Sequence, residues 1–409
     1  MNTIKLNINA DTNLVAEGSA TERILEVSVT APVIEVRDRP RLNLALVLDR
    51  SGSMSGDKLS NVRKASRHVL DLLQESDHVA IVAYDDEVTM VSPSVAVTPE
   101  ARRELKQRVT RLEPGGSTNL SEGWLTGCRE IAAATQEGMV NRALLLTDGL
   151  ANVGIQDLEE LATHARELSR RGIATSTFGV GNGFNEHLLE AMSNQGGGSF
   201  YYIDSPEGIP AIFAREFAEL AAVSARAVEV VISIPAGWRL EIPGGWRTIF
   251  DGNQLRIFLG DLFSGQTQEI YIRAYIPTPE PGGSTGISAE VNGKDEQGQL
   301  FHDQANFYFQ AVGLEKLVTA PRNSGIMERF VVVNLAEIAN EALKLERNGQ
   351  REEAYGLLMR ALTNDKEYVP ALDAEKYRRM AERMKYGMDE MDRKQSHFES
   401  YNQKRRKNL

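Results

Sequence analysis

Three short segments carry oxygen donors in a pattern that suits a hard divalent cation. The first is Asp49-Arg50-Ser51-Gly52-Ser53, an Asp-x-Ser-x-Ser run placed where an apolar stretch over residues 42–48 gives way to a loop. Alternate residues there can turn an acid and two hydroxyls to the same side, and Gly52 leaves the backbone free to curl around what they hold. The second is Pro114-Gly115-Gly116-Ser117-Thr118-Asn119, which runs into a helix and can supply the Thr118 hydroxyl. Asn119 with Glu122 can cap that helix, leaving Thr118 for another role. The third is Asp148-Gly149, at the end of the apolar run 143–147. Two carboxylates and three hydroxyls, with no His or Cys nearby, favour Mg²⁺ or Mn²⁺ over Zn²⁺ or copper.

These segments need strands and helices that bring them to one edge. From Leu42 to about Val223, short apolar runs alternate with helix-period segments, the pattern of a mostly parallel sheet covered on both faces. Strands are predicted at 42–49, 78–84, 143–147, 173–180 and 200–203, with an edge candidate at 87–91. The first helix should bury Leu59, Val62, Ala65, Val69 and Leu72. In open sheets of this doubly wound α/β class, ligands bind at the carboxyl ends of the strands, where Asp49 and Asp148 fall. On both sides of this block the period changes to two, as in Leu25/Val27/Val29, Val228/Val230/Ile232 and Ile270/Ile272/Ala274. The expected layout is therefore an α/β domain at 41–223 inserted in a discontinuous antiparallel β-sandwich of 1–40 and 225–312. Region 313–409 reads as helical. Helices are predicted from Met327 to Asn348 and from Arg351 to Thr363, and a third from Ala374 to about Lys394 carries the stripe Tyr377, Met380, Met384, Met388 and Met391. The Met stripe reads as core or a helix-helix seam, while the segment after about Ala374 is expected to be the most mobile part and a second contact surface, with packing on the preceding helices as the alternative.

With Asp49-x-Ser51-x-Ser53, Thr118 and Asp148 in this order and on these elements, residues 42–223 resemble the von Willebrand factor type A (VWA) domain and its metal-ion-dependent adhesion site. The resemblance implies a metal held directly by Ser51 and Ser53, by Thr118 when a ligand is bound, and by Asp49 and Asp148 largely through water. The sixth position is then left for a carboxylate from a partner protein. The wider layout is also similar, more loosely, to inter-alpha-trypsin inhibitor heavy chains and related bacterial proteins.

Other features are read as structural. Gly179-Val180-Gly181-Asn182-Gly183 lacks the dinucleotide-loop spacing and reads as a turn, and Asp85-Asp86-Glu87 reads as a hairpin turn. None of the six histidines has metal-ligand spacing with another His or Cys, and no Walker loop or nucleophile elbow occurs. Cys128 reads as helix packing, and one cysteine allows no internal disulfide, which points to a reducing, cytoplasmic setting. The N-terminus lacks the features of a signal peptide, and no apolar run is long enough to cross a bilayer. A net charge of -11 disfavours nucleic acid as the main partner, although Lys404-Arg405-Arg406-Lys407 forms a basic tail, read as a solvated end. The expectation is a Mg²⁺-dependent (or Mn²⁺-dependent) adaptor that recognises an Asp or Glu of a partner protein and is not an enzyme. Its alternatives are an adaptor subunit of a AAA+ ATPase machine and a metal-dependent hydrolase.

Overall fold

The first strand, β1 (Lys5–Ala10), alternates exposed and buried residues, as a half-buried strand must; β2 (Leu14–Ala16) and β3 (Thr21–Thr30) follow it. The computed structural model describes residues 4–34, 40–280, 282–295 and 297–405. Residues 1–3, Pro281 in one predicted turn, and Arg406 and Lys407 of the basic tail lie outside them.

The α/β unit runs β4 (Leu42–Asp49), α1 (Asp57–Leu72), β5 (His78–Tyr84), β6 (Val88–Ala96), α2 (Pro99–Thr110), α3 (Leu120–Ala134), β7 (Val140–Thr147), α4 (Leu158–Arg170), β8 (Ile173–Val180), α5 (Glu186–Gln195), β9 (Gly197–Ile203) and α6 (Ile209–Ala221). Its sheet has the order β6-β5-β4-β7-β8-β9, parallel except for β6, which returns antiparallel to β5. Every residue of β4 and β7 is buried, which explains the apolar runs 44–48 and 143–146 within them. On α1, Leu59, Val62, Ala65 and Val69 are buried as expected, whereas Leu72 is exposed and Leu70 takes its place. Helix α3 lies close on the sheet because Gly123 and Gly127 face it. A Cβ on Gly127 would come within 2.5 Å of Val47 Cγ2, and one on Gly123 within 2.6 Å of the Tyr84 ring. That approach fixes where α3 begins, and with it the position of Thr118.

Seven strands follow, β10 (Val223–Ser233), β11 (Arg239–Glu241), β12 (Arg247–Asp251), β13 (Gln254–Phe263), β14 (Thr267–Ile276), β15 (Ser284–Asp295) and β16 (Leu300–Val312). They form two sheets with the first three strands, in the orders β1-β3-β14-β11 and β12-β13-β10-β15-β16-β2. β3 pairs with β14 along its whole length, Thr21 opposite Ile276 and Thr30 opposite Thr267, so strands from both sides of the α/β unit share one sheet. Inward residues of the two sheets, Val27 and Ile270 with Val230, Ile257 and Phe309 among them, make one apolar core. All the strand pairs in these sheets are antiparallel except β2 with β16.

Five helices end the chain, α7 (Leu314–Thr319), α8 (Ser324–Arg347), α9 (Arg351–Asn364), α10 (Ala371–Tyr386) and α11 (Glu390–Arg405). Here the structure corrects the sequence reading. The single predicted third helix is two, because Gly387 adopts φ +98°, which side-chain-bearing residues rarely do, and turns the chain between α10 and α11. Tyr377, Met380, Met384 and Met388 are buried in one cluster with α8 and α9, so the stripe is the helix-helix seam expected of it, and the segment is not the second contact surface; of the stripe only Met391 is exposed. Helix α11 returns to the α/β unit, where Phe398 and Tyr401 enter the core and the Tyr401 hydroxyl accepts a 3.1 Å hydrogen bond from Phe200 N. Lys404, read as part of a solvated end, is buried with Nζ 3.3 Å from Glu190. Hydrogen exchange on the full chain is expected to show residues 377–384 and 394–402 protected nearly as well as β4. Fast exchange throughout 390–404 would contradict a docked α11.

Candidate metal centre

Asp49 closes β4 and Asp148 follows β7, and these strands are parallel neighbours, so both carboxylates reach the same edge of the sheet. Asp49 has no exposed surface and Asp148 2%. Asp49 Oδ1 accepts from Ser51 N (2.8 Å) and Oδ2 from the Thr147 hydroxyl (2.6 Å). The hydroxyls of Ser51 and Ser53 lie 3.2 Å apart, and Ser53 Oγ donates to Asp148 Oδ1 at 2.7 Å. A Cβ built on Gly149 would stand 3.7 Å from both Ser53 Oγ and Thr118 Oγ1, so the Thr118 hydroxyl faces the same point. The five predicted residues thus lie together. The other oxygen of Asp148 forms an ion pair with Lys58 Nζ, which also donates to Ser53 O at 3.3 Å.

The loops that carry these groups are tied to one another. Gly52 N donates to Gly116 O (2.9 Å), and Gly115 N to Arg50 O (2.7 Å). Thr118 is held by its amide on Asn152 Oδ1 (2.8 Å) and by its carbonyl, which accepts from Asn152 N and Val153 N. Asp85-Asp86-Glu87 does join β5 to β6 as a hairpin turn, and it also braces the second loop. Asp85 O accepts from Asn119 N (2.6 Å), Asp86 Oδ1 from Ser117 N (3.2 Å), and Asp85 pairs with Arg50 at 3.0 Å. A Cβ on Gly115 would fall 1.6 Å from Asp85 Oδ2, which is why the loop carries glycine there. Asn119 caps α3 as expected, while Glu122 pairs with Arg129 instead of closing a capping box.

Sequence reasoning missed Lys58, Thr147, Asn152 and Gly183. Lys58 was legible in principle, as a cation in the first turn of the helix that follows the serine loop. Gly183 belongs to the loop set aside as a turn, and a Cβ there would meet Asp148 O at 2.5 Å, so this turn packs directly on the candidate centre. No group of three or more His, Cys, Asp or Glu side chains that could hold a metal occurs among the described residues. The donor set here is of another kind, two carboxylates and three hydroxyls, and its hard oxygens fit Mg²⁺ or Mn²⁺. Burial pushes the Asp49 carboxyl up to about 6; the Asp148 charge adds to this, and the hydrogen bonds from Thr147 and Ser51 work against it.

Residues 43–215 match the model of the von Willebrand factor type A domain, and a VWA domain is present over this segment. An uncharacterized protein of Escherichia coli, YfbK, is 29% identical over 220 residues, covering 53% of this chain and 38% of its own. An uncharacterized protein of Synechocystis, sll0103, is 33% identical over 215 residues (52% and 50%). Human inter-alpha-trypsin inhibitor heavy chain H3 is 32% identical over 171 residues (40% and 19%). The chain spans half or less of the length of these relatives. Among solved structures, a von Willebrand factor type A protein from Catenulispora acidiphila superposes with a TM-score of 0.72 at 16% identity, covering 89% of this chain and 87% of its own. The ArnB paralog VWA2 from Sulfolobus acidocaldarius superposes with 0.63 at 14% identity (97% and 98%). The likeness of fold therefore extends beyond the matched domain. VWA domains commonly mediate protein–protein interactions.

The raised Asp49 value has a stability consequence in EDTA. The folded chain binds this proton more tightly than the unfolded chain, whose carboxyl titrates near 3.8, so ionisation between those pH values weakens the fold. Relative to Asp49→Asn, the parent chain is expected to lose about 2 kcal/mol of unfolding free energy from pH 4 to pH 7, and saturating Mg²⁺ should abolish the loss. Denaturant titration at several pH values measures it; parallel profiles for the two proteins would show that Asp49 is not a desolvated carboxyl.

Proposed function

We propose that this protein is a divalent-metal-dependent binding module that recognises an acidic residue of a partner protein, and that it does not catalyse a reaction. The observation that carries the reading is the convergence of Ser51, Ser53 and Thr118 hydroxyls with Asp49 and Asp148 at one strand edge. When bound there, Mg²⁺ or Mn²⁺ supplies a positive centre that attracts a carboxylate. Ser51, Ser53 and Thr118 would hold it through neutral oxygens, which leave its charge largely uncompensated. Asp148 is shared with Lys58, which lowers the negative charge of the site by a further unit. Leu150 is 58% exposed beside Asp148 and offers apolar contact to whatever flanks the acid. For hydrolysis the site offers neither a histidine base nor an activated nucleophile among the residues described above. Cys128 is buried with its thiol pushed up to about 12 by burial, so it is not placed to act as a nucleophile. No helix among the described residues is long and apolar enough to cross a membrane.

Calorimetry should find one Mg²⁺ or Mn²⁺ per chain, with binding lost in Asp49→Ala while circular dichroism is unchanged. Unaltered metal binding in that variant would place the ion elsewhere. Partner capture should fail in EDTA and in Thr118→Ala, and a captured protein should release when its key Asp or Glu is changed to the amide. Capture that persists in EDTA, or steady ester or phosphate hydrolysis lost in Asp148→Ala, would overturn the reading.

Lys58 gives a separate expectation. Removing its charge with Lys58→Met leaves Asp148 uncompensated and should tighten Mg²⁺ binding by about tenfold, since a unit charge a few ångströms away is worth on the order of 1–4 kcal/mol. Weaker metal binding in Lys58→Met, as seen by calorimetry, would mean that Lys58 positions Asp148 more than it neutralises it.

A further inference from the structure

At the opposite end of the α/β sheet from the oxygen-donor edge, the end of α4 and the starts of β8 and β9 face β10, β12 and β13 across a cleft. It holds two adjoining cavities of about 400 and 250 Å³, both bordered by Arg170 and Ala227. The smaller is lined by Arg247, the first residue of β12. Arg247 is only 9% exposed, and neither its Nε nor its Nη2 has a hydrogen-bond partner among the described residues. The guanidinium lies over the Phe258 ring, 4.1 Å from its centroid, a contact that satisfies no N–H donor.

A buried, unpaired guanidinium is costly, and arginine cannot escape the cost by shedding its proton at ordinary pH. Burial is the main force lowering its affinity for the proton; Arg170 and Arg166 repel it further, and Glu167 and Glu229 compensate only in part. Both acids are otherwise engaged. Glu167 pairs with Arg170 at 2.8 Å, and Glu229 with Arg256 at 3.5 Å. The backbone on the facing wall is also unusual. Ala227 is the one residue other than glycine with positive φ (50°) among the described residues, and it sits where β10 slips register against β13 between Ala225 and Val228. That bulge opens the sheet beside the cavity.

We propose that this cleft binds a small oxyanion, a carboxylate or a phosphate group, with Arg247 as its buried anchor and Arg170 as a second cation. Unpaired N–H donors on a planar guanidinium match the oxygens of either group. The smaller cavity suits a compact ligand, with the adjoining one available to the remainder of the molecule. Because Arg170 belongs to the α/β unit and Arg247 to the sandwich strands, the bound anion bridges the two.

The test uses the full chain in EDTA, at ionic strength held constant with KCl, titrated separately with inorganic phosphate and with succinate. Saturable binding by calorimetry and a saturating rise in melting temperature are expected with at least one of them, and which one responds identifies the phosphate or the carboxylate arm. Arg247→Gln should weaken that binding by about tenfold or more, and Arg170→Gln, at a half-exposed position, should weaken it less. In anion-free buffer Arg247→Gln should melt no lower than the parent, since it removes an unpaired buried charge. If Arg247→Gln does not fold, Arg170→Gln decides the matter alone. No saturable binding of either anion up to about 10 mM, or an equal rise in melting temperature in the arginine variants, the mark of nonspecific salt stabilisation, would overturn the proposal.

Discussion

Asp49 is a carboxylate with no exposed surface at the end of a strand covered on both sides. Taking a charge out of water costs several kcal/mol unless its oxygens are occupied, and the local structure follows from how this demand is met. The Ser51 amide must aim back at Oδ1, which bends the chain directly after β4 and brings the Ser51 and Ser53 hydroxyls together. The Thr147 hydroxyl must reach Oδ2, which ties the end of β7 to the end of β4 and delivers Asp148 beside Ser53. The order of the site is thus set by one buried acid.

The surrounding elements hold that arrangement from outside. Helix α3 can start where it does because its glycines let it lie on the sheet, and Asp85 and Asp86 fix the loop before it. On the other side, the buried Lys394 of α11 donates to Phe184 O (2.5 Å), pairs with Glu186 (2.7 Å) and lies over the Phe184 ring. Burial alone would raise the Glu186 carboxyl, but Lys394 and Arg347 hold it down to about 2, so it stays charged across the physiological range. Phe184 follows Gly183, which abuts Asp148 O. A continuous line of contacts therefore runs from the C-terminal helix to the candidate metal edge.

The α/β strands were legible because burial on both faces writes itself as continuous apolar sequence, and the five oxygen donors because their types and spacing are specific. Strands β7 and β9 begin earlier than expected, since Asn141-Arg142 and Gly197-Gly198-Ser199 precede the apolar runs with polar and glycine residues, of which Asn141 and Arg142 are paired inside the fold. Helix α11 was misread for a related reason. Its buried residues include Lys394, His397 and Lys404, which pair with Glu186 and Glu190 of α5, and the polar Ser396 and Asn402, so no continuous apolar stripe marks its inner face. A helix docked through charge pairs looks, in sequence, like one left in water.

Asp49 and Arg247 share a physical status that neither periodicity nor propensity reports. The sheet also buries Arg142, near the same cleft, but that guanidinium is met by Asp261 at 2.9 Å, Ser176 at 3.1 Å and Glu216 at 3.7 Å, and it welds the α/β unit to β13. Fold stability accounts for Arg142, because its burial is offset by its own partners. It does not account for Asp49, whose burial raises its proton affinity beside a second acid, or for Arg247, whose Nε and Nη2 meet no acceptor among the described residues. Sequences are locally consistent wherever only folding is at stake. The two places that break this consistency carry opposite charge and lie toward opposite ends of the α/β sheet, and the cation and the oxyanion proposed for them are each of the sign that would offset the buried charge.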